Sequence, residues 1–234
     1  MAFIGGFIEL YSIKVRGTYA GMMTGNVINT FISFLDNKTK TGLFYLSCVL
    51  TFFFTCFIVE GILLLLKKNK KNFRSLIIFL QIIVLMPSLF LKVTVQEEFL
   101  GYTNLEKATY LDLLINCFLS IYGALQFTAF NKMNGHVYVA TMLSSTLKNF
   151  VVNLMDGIVK KDKNLLLNAL DFFLVATFFI FGGIVFYLSF KNLNTQQIQY
   201  LLAVPISILF ILFIFSFITF RNEETNDDTL KKAQ

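Results

Sequence analysis

The residues with the most chemistry to offer lie in two short stretches. In GGFIELYSIKVRGTYAGMMTGNVINTFISFL (5–35), Glu9 sits inside an apolar run and is followed by Lys14 and Arg16, then by Thr24, Asn26 and Asn29. A carboxylate at the centre of a membrane helix costs roughly 2.5–3.5 kcal/mol on insertion scales, so intramembrane acids face a cavity or a partner. Glu9 could therefore pair with Lys14 or Arg16, carry a proton, or reach the membrane surface from a short helix. Thr24, Asn26 and Asn29 offer hydroxyl and amide groups to a small polar solute. Gly17, Gly21 and Gly25 recur every four residues, and Asn29 and Ser33 continue the same helical face. Small residues at that spacing let a neighbouring backbone approach, so the stripe reads equally as a helix-packing seam.

The second stretch, YGALQFTAFNKMNGHVYVATMLSSTLKNFVVNL (122–154), repeats the pattern. Each runs from an apolar helix through a basic, glycine-containing break to a helix rich in Ser, Thr and Asn. Gln126 and Asn131 then match Glu9 and Lys14, and two residues inserted after Gly135 set Ser144, Ser145 and Thr146 against Thr24, Gly25 and Asn26. If the two stretches pack face to face, these groups line one pocket, nearly neutral apart from Glu9 and Lys148. Such a lining suits a small polar or weakly charged solute.

Enzymatic chemistry finds little support. His136 is the only histidine, which excludes a His-rich metal site, and there is no GxSxG-type nucleophile element. Cys48, Cys56 and Cys117 fall inside apolar runs and read as small buried hydrophobes. No cofactor is indicated.

The elements that must position these groups are membrane helices. Of the 234 residues, 56% are hydrophobic and only 15% charged, against roughly 45–50% and about 25% in soluble domains. The net charge of +6 comes from lysines in the links between apolar runs, not from a basic stripe, so nucleic acid is not an expected partner. The bilayer is. A crossing takes about 20 apolar residues, and segments 43–66, 75–93, 110–130, 165–190 and 199–220 qualify. Pro87 and Pro205 fall inside such runs, where kinks are tolerated. The run from Ala2 to Val15 is shorter, and 17–35 and 135–155 are only partly apolar; each of these two is a full crossing or a segment that enters and leaves on one side.

Charge bias favours the second option. With those two segments not crossing and KKNKKNFR (67–74) cytoplasmic, the inside holds Lys67, Lys68, Lys70, Lys71, Arg74, Lys132, Lys148, Lys160, Lys161, Lys163, Arg221, Lys231 and Lys232, which is 13 of the 20 basic residues. Eight crossings would leave only nine inside. The expected fold is thus all-α, a polytopic membrane bundle of about six helices with both termini cytoplasmic. It forms a single domain over 1–220, with a charged, solvated tail at 221–234. Three crossings per half make an inverted repeat, about 1–93 and 108–220, an architecture of secondary transporters with interrupted helices. The first run lacks the basic flank and cleavage motif of a signal peptide and is expected to be retained. Glu60, near Lys67 and Lys68, reads as an interfacial residue.

The blocks GGFIELYSIKVRGTYAGMMTGNVI (5–28), YGALQFTAFNKMNG (122–135) and MLSSTLKN (142–149) resemble the YoaK family, bacterial membrane proteins grouped under a domain of unknown function. The likeness covers nearly the whole chain. Two departures stand out: Glu9 replaces the family's usual Asp, and Ser144-Ser145-Thr146 replaces its usual Thr-Gly-Thr. The resemblance implies a six-helix inner-membrane protein with no established substrate. A permease for a small polar solute is the leading expectation. The alternative is a scaffold or accessory subunit, including a homo-oligomer, joined through the Gly17/Gly21/Gly25 face.

Overall fold

The computed structural model describes residues 1–65, 73–90, 105, 108–130, 132–133, 136–137, 143–193 and 195–232. The basic link 67–72, Asn131 and Gly135 lie outside them. Apart from one two-residue antiparallel pairing, Lys132 with Val137 and Met133 with His136, the regular elements among the described residues are helices. The helices are α1 (Ala2–Tyr11, continued by a π-helical turn Ser12–Arg16), α2 (Met23–Leu35), α3 (Thr39–Leu65), α4 (Phe73–Phe90), α5 (Tyr110–Ala129), α6 (Leu143–Lys160), α7 (Lys163–Lys191) and α8 (Ala203–Lys232, entered through a 3-10 segment Thr195–Leu202).

Four of these are long and apolar enough to cross a membrane: Thr39–Leu64, Tyr110–Ala129, Lys163–Lys191 and Gln197–Ile218. Large apolar side chains stand exposed along them, Phe53, Phe57, Phe178, Phe181, Phe210 and Phe215 among them, as a lipid-facing surface requires. Ser75–Phe90 is a shorter apolar helix. At the C-terminus α8 runs on to Lys232, so the charged stretch after 220 continues the helix. No Gly or Pro interrupts the sequence from Ile206 to Lys232, so nothing in the chain stops the helix.

Local chemistry explains the other boundaries. Gly17 takes a left-handed φ of 71° and ends the π-turn, a conformation cheap only for glycine. Asn37, at φ 60°, turns α2 back along α3. Thr109 and Asp112 form a reciprocal capping box at the start of α5. Asp162 caps α7 by accepting from Asn164 N at 2.8 Å.

The first helix is the core of the bundle. Ile4, Phe7, Ile8 and Tyr11 are fully buried, among residues contributed by α4, α5, α7 and α8. Its main neighbour is α7, and glycines set how close the two come: a Cβ on Gly6 would collide with the Phe179 carbonyl oxygen, and one on Gly182 with the Phe3 carbonyl oxygen. Phe7 and Phe186 pack edge to face beside this contact, centroids 5.4 Å apart. The other principal pairings are α3 with α5, α2 with α3, α6 with α7, and α4 with α8 and α5.

The glycine contact makes a sharp prediction. Gly6→Ala should lower stability by about 1–3 kcal/mol, the usual cost of overpacking, whereas Gly61→Ala, where an added Cβ meets nothing within 4 Å, should be neutral or gain up to about 1 kcal/mol. Thermal unfolding of detergent-solubilised protein distinguishes them; equal effects would contradict the close crossing.

Candidate functional site

The irregular segment 17–22 separates α1 from α2 and lies inside the bundle, against the middle of α5. Gly123 permits this, since a Cβ there would collide with the Ala20 carbonyl oxygen. Buried backbone without helical partners must find others, and Glu9 supplies them. Its carboxylate accepts from Gly21 N at 2.8 Å and from Met22 N at 3.3 Å. Met22, the N-cap residue of α2, provides no side-chain cap, so an acid from the preceding helix fills that role and meets the positive end of the α2 dipole.

The expected pairing of Glu9 with Lys14 or Arg16 is therefore replaced. The break folds α2 back toward the middle of α1, which offers Glu9 two amide donors, while Arg16 turns to α5. There its Nη1 donates to Asp112 Oδ1 at 3.1 Å, with side-chain exposures of 0% and 2%. Asp112 serves two purposes, because its Oδ2 also accepts from Thr109 N at 2.9 Å and Thr109 Oγ1 at 2.8 Å. One turn on, Asn116 Nδ2 donates to the Arg16 carbonyl at 3.4 Å.

Asn26 locks the break from the other side. Its amide accepts from Tyr19 N at 2.9 Å and donates to Tyr19 O at 2.8 Å, a two-point clamp on one backbone unit. The remaining amide proton meets Met23 Sδ at 3.4 Å. Asn26 is thus fully used within the fold. Thr24 is exposed and Asn29 half-buried on α2. Gln126 is buried, donates to the Met1 carbonyl at 3.2 Å and leaves its Oε1 without a partner.

The expected common pocket does not form in this arrangement. Neither α2 nor α6 is a principal neighbour of the other: α2 packs on α3 and α6 on α7. Ser144 is exposed, Ser145 half-buried and Thr146 buried on α6. The glycine stripe is also corrected. Gly17 and Gly21 lie in non-helical backbone, so they share no helix face with Gly25; the left-handed Gly17 and the capped Gly21 amide need a break at those positions. Gly25 instead lets the Tyr19 ring pack over the first turn of α2.

What the sequence reading missed is the polar face of α5. Asp112, Asn116 and Ser120 recur at intervals of four and all are buried, with Tyr122 and Gln126 beside them. That periodicity within YLDLLINCFLSIYGALQ was the available signal, masked by the length of the apolar run. Around the break, buried side-chain atoms of Tyr11, Ser12, Arg16, Asn116 and Tyr122 have no hydrogen-bond partner among the described residues, while the Thr18 and Ser120 hydroxyls lie against the Cys48 thiol.

A protein-family model of unknown function, DUF1275, matches residues 1–215. The chain belongs to the DUF1275 family. The match spans α1 through the first part of α8, so the break, its Glu9 cap and the polar face of α5 all lie within the DUF1275 region. No curated protein and no solved structure matches the chain.

Breaking the ion pair should be costly. Asp112→Asn leaves the Arg16 charge buried and unpaired and should destabilise by about 3–5 kcal/mol. Adding Arg16→Met to it should recover part of that loss. A double variant less stable than Asp112→Asn alone, measured by thermal unfolding in detergent, would contradict the pair. Glu9→Ala should cost about 1–3 kcal/mol by stranding the Gly21 and Met22 amides, with Glu9→Gln retaining more than half of the stability; amide exchange at Gly21 reports the cap directly.

Proposed function

We propose that the protein is a carrier for a small polar solute, with its site at the break between α1 and α2. The observation that carries this reading is non-helical backbone at membrane depth, held by a buried carboxylate and surrounded by buried polar atoms that have no partners. Interrupted helices that place capped helix ends at the midplane are how many secondary transporters build a ligand site.

The packing pattern supports the reading. Exchanging α1–α4 with α5–α8 maps most of the main contacts onto themselves, α1·α7 onto α5·α3, α2·α3 onto α6·α7 and α4·α8 onto itself, whereas α4·α5 maps onto the much smaller α8·α1 contact. This is the behaviour of an internal repeat. It sorts the helices into two groups, α1 with α6 and α7, and α5 with α2 and α3. The segment 17–22 and the link between α5 and α6 are then the two connections between the groups. Polar contacts run across that boundary, Glu9 to Gly21 and Met22, Arg16 to Asp112, and Gln126 to the Met1 carbonyl. A boundary held by polar contacts can part and admit water as one group rocks against the other.

The topology in this proposal has six crossings in the cell membrane. At 1.5 Å per residue the helical run 2–16 is about 22 Å long, short of the roughly 30 Å hydrocarbon core. The first crossing is completed by the break, with α2 and α6 returning on one side. A scaffold acting through the glycine stripe loses its basis, since Gly17 and Gly21 are not helical.

Two experiments test these statements. Proteoliposomes should take up one or more members of a panel of labelled amino acids, monocarboxylates and sugars above the rate of empty liposomes, and the double variant Glu9→Gln with Asn26→Ala, confirmed folded, should lose most of that uptake. Uptake of none of them, or wild-type rates in the double variant, would sink the site. In a background lacking Cys48, Cys56 and Cys117, a cysteine at position 70 should react with impermeant reagents only from the cytoplasmic side and one at position 38 only from outside; the same accessibility at both would refute six crossings.

A further inference from the structure

Arg16 is held by one edge only. Nη1 donates to Asp112, while Nε and Nη2 are buried without a hydrogen-bond partner among the described residues. Those two nitrogens form the side-on fork of the guanidinium, whose parallel N–H bonds match the spacing of two oxygens on one carboxylate. The group cannot shed its charge, so a buried, unfilled fork calls for an acceptor. Asp112 does not supply it, because its second oxygen is occupied by Thr109 N and Oγ1.

Further polar groups belong to the same turn and to the facing helix. The Tyr11 hydroxyl lies against the guanidinium and interacts with it, without a hydrogen bond of full geometry. The Ser12 hydroxyl, on the same π-turn, and Asn116 Oδ1, on the facing helix, are also buried and unpartnered. Hydroxyls beside an arginine fork can serve an anion's remaining lone pairs, and an amide oxygen can accept from a hydroxyl carried on the same molecule.

We infer that the free edge of Arg16 is a subsite for a planar monoanion with two adjacent oxygens, so that the solute of this protein is a small carboxylate. Asp112 already offsets one unit of charge at the guanidinium, which disfavours a dianion such as phosphate. The identity of the solute rests on the carrier reading; the binding of a carboxylate at Arg16 does not.

The test uses the full chain in detergent micelles with arginine labelled by nitrogen-15. Arg16, Arg74 and Arg221 are the only arginines in the sequence, so three Nε–H signals are expected, assigned through Arg74→Lys and Arg221→Lys. Formate and acetate should shift the Arg16 signal saturably and raise the melting temperature above that in chloride of equal ionic strength. Arg16→Lys, which keeps the charge but not the fork, should weaken the apparent affinity for formate by at least about tenfold. An Arg16 signal that formate leaves unmoved, an equal response to chloride, or unchanged affinity in Arg16→Lys overturns the subsite. Should Arg16→Lys fail to fold, the titration of the wild-type signal decides. Formate binding without uptake of any solute keeps the subsite and removes the carrier; uptake of a neutral solute with no carboxylate response does the reverse.

Discussion

A backbone amide that leaves a helix inside a packed bundle has no water to turn to, and the structure is organised around meeting that need at one place. The chain stops being helical after Arg16 and resumes at Met23, which strands amides that a continuous helix would have satisfied. The Glu9 carboxylate takes the two amides at Gly21 and Met22, and Asn26 takes both polar groups of Tyr19. Each of the two side chains thus meets the break at two points. The cost of placing an acid at this depth is thereby offset by its use as a cap. An aspartate, one methylene shorter, would have to reach the same amides from a different position on α1.

Everything else about α1 follows from its being short and central. A helix buried on all sides needs neighbours that approach closely, and the Gly6 and Gly182 crossing provides that on the α7 side. Arg16 then fixes the far end of the π-turn to α5 through Asp112. The two fastenings differ in kind. The glycine contact is dry, apolar and intolerant of an added methyl; the arginine contact is polar and leaves two of the guanidinium's three nitrogens without a hydrogen-bond partner among the described residues. Close packing of the first kind resists displacement, whereas a hydrogen-bonded boundary can exchange one partner for another.

The membrane character, four of the five long apolar segments and the position of the break were legible because they rest on run length, on glycine placement and on the absence of charge. Glu9 stood out as costly for the same reason. Its actual partner did not, because a carboxylate gives no sign in sequence of whether it will meet a lysine, an arginine or the amides of a helix that begins twelve residues later. The Gly17, Gly21 and Gly25 periodicity misled for a related cause: spacing of four is meaningful only if the backbone is helical, and Gly17 is the residue that ends the helix. Asp112, Asn116 and Ser120 were hidden by their surroundings, since a long apolar run reports a crossing and draws attention away from a polar face within it. Thr24 and Ser144 were singled out by type, yet both are exposed, because the small residues of α2 and α6 do not face one another.

A break built from exchangeable polar contacts carries a consequence for how such a protein would work. The Glu9 carboxylate joins α1 to the start of α2, and Arg16 joins the end of the same helical run to α5, so the two polar fastenings sit at opposite ends of segment 17–22. Any ligand that competes for one of them changes the tension on the other, because only six residues of chain separate Arg16 from Met23. A ligand that binds both arrangements of the break equally would shift nothing; one that fills an edge left empty in this arrangement stabilises it selectively. The unfilled edge of Arg16 is therefore the point at which binding energy could be converted into a choice between conformations, with the glycine-packed α1 and α7 moving as a unit and α5 as its counterpart.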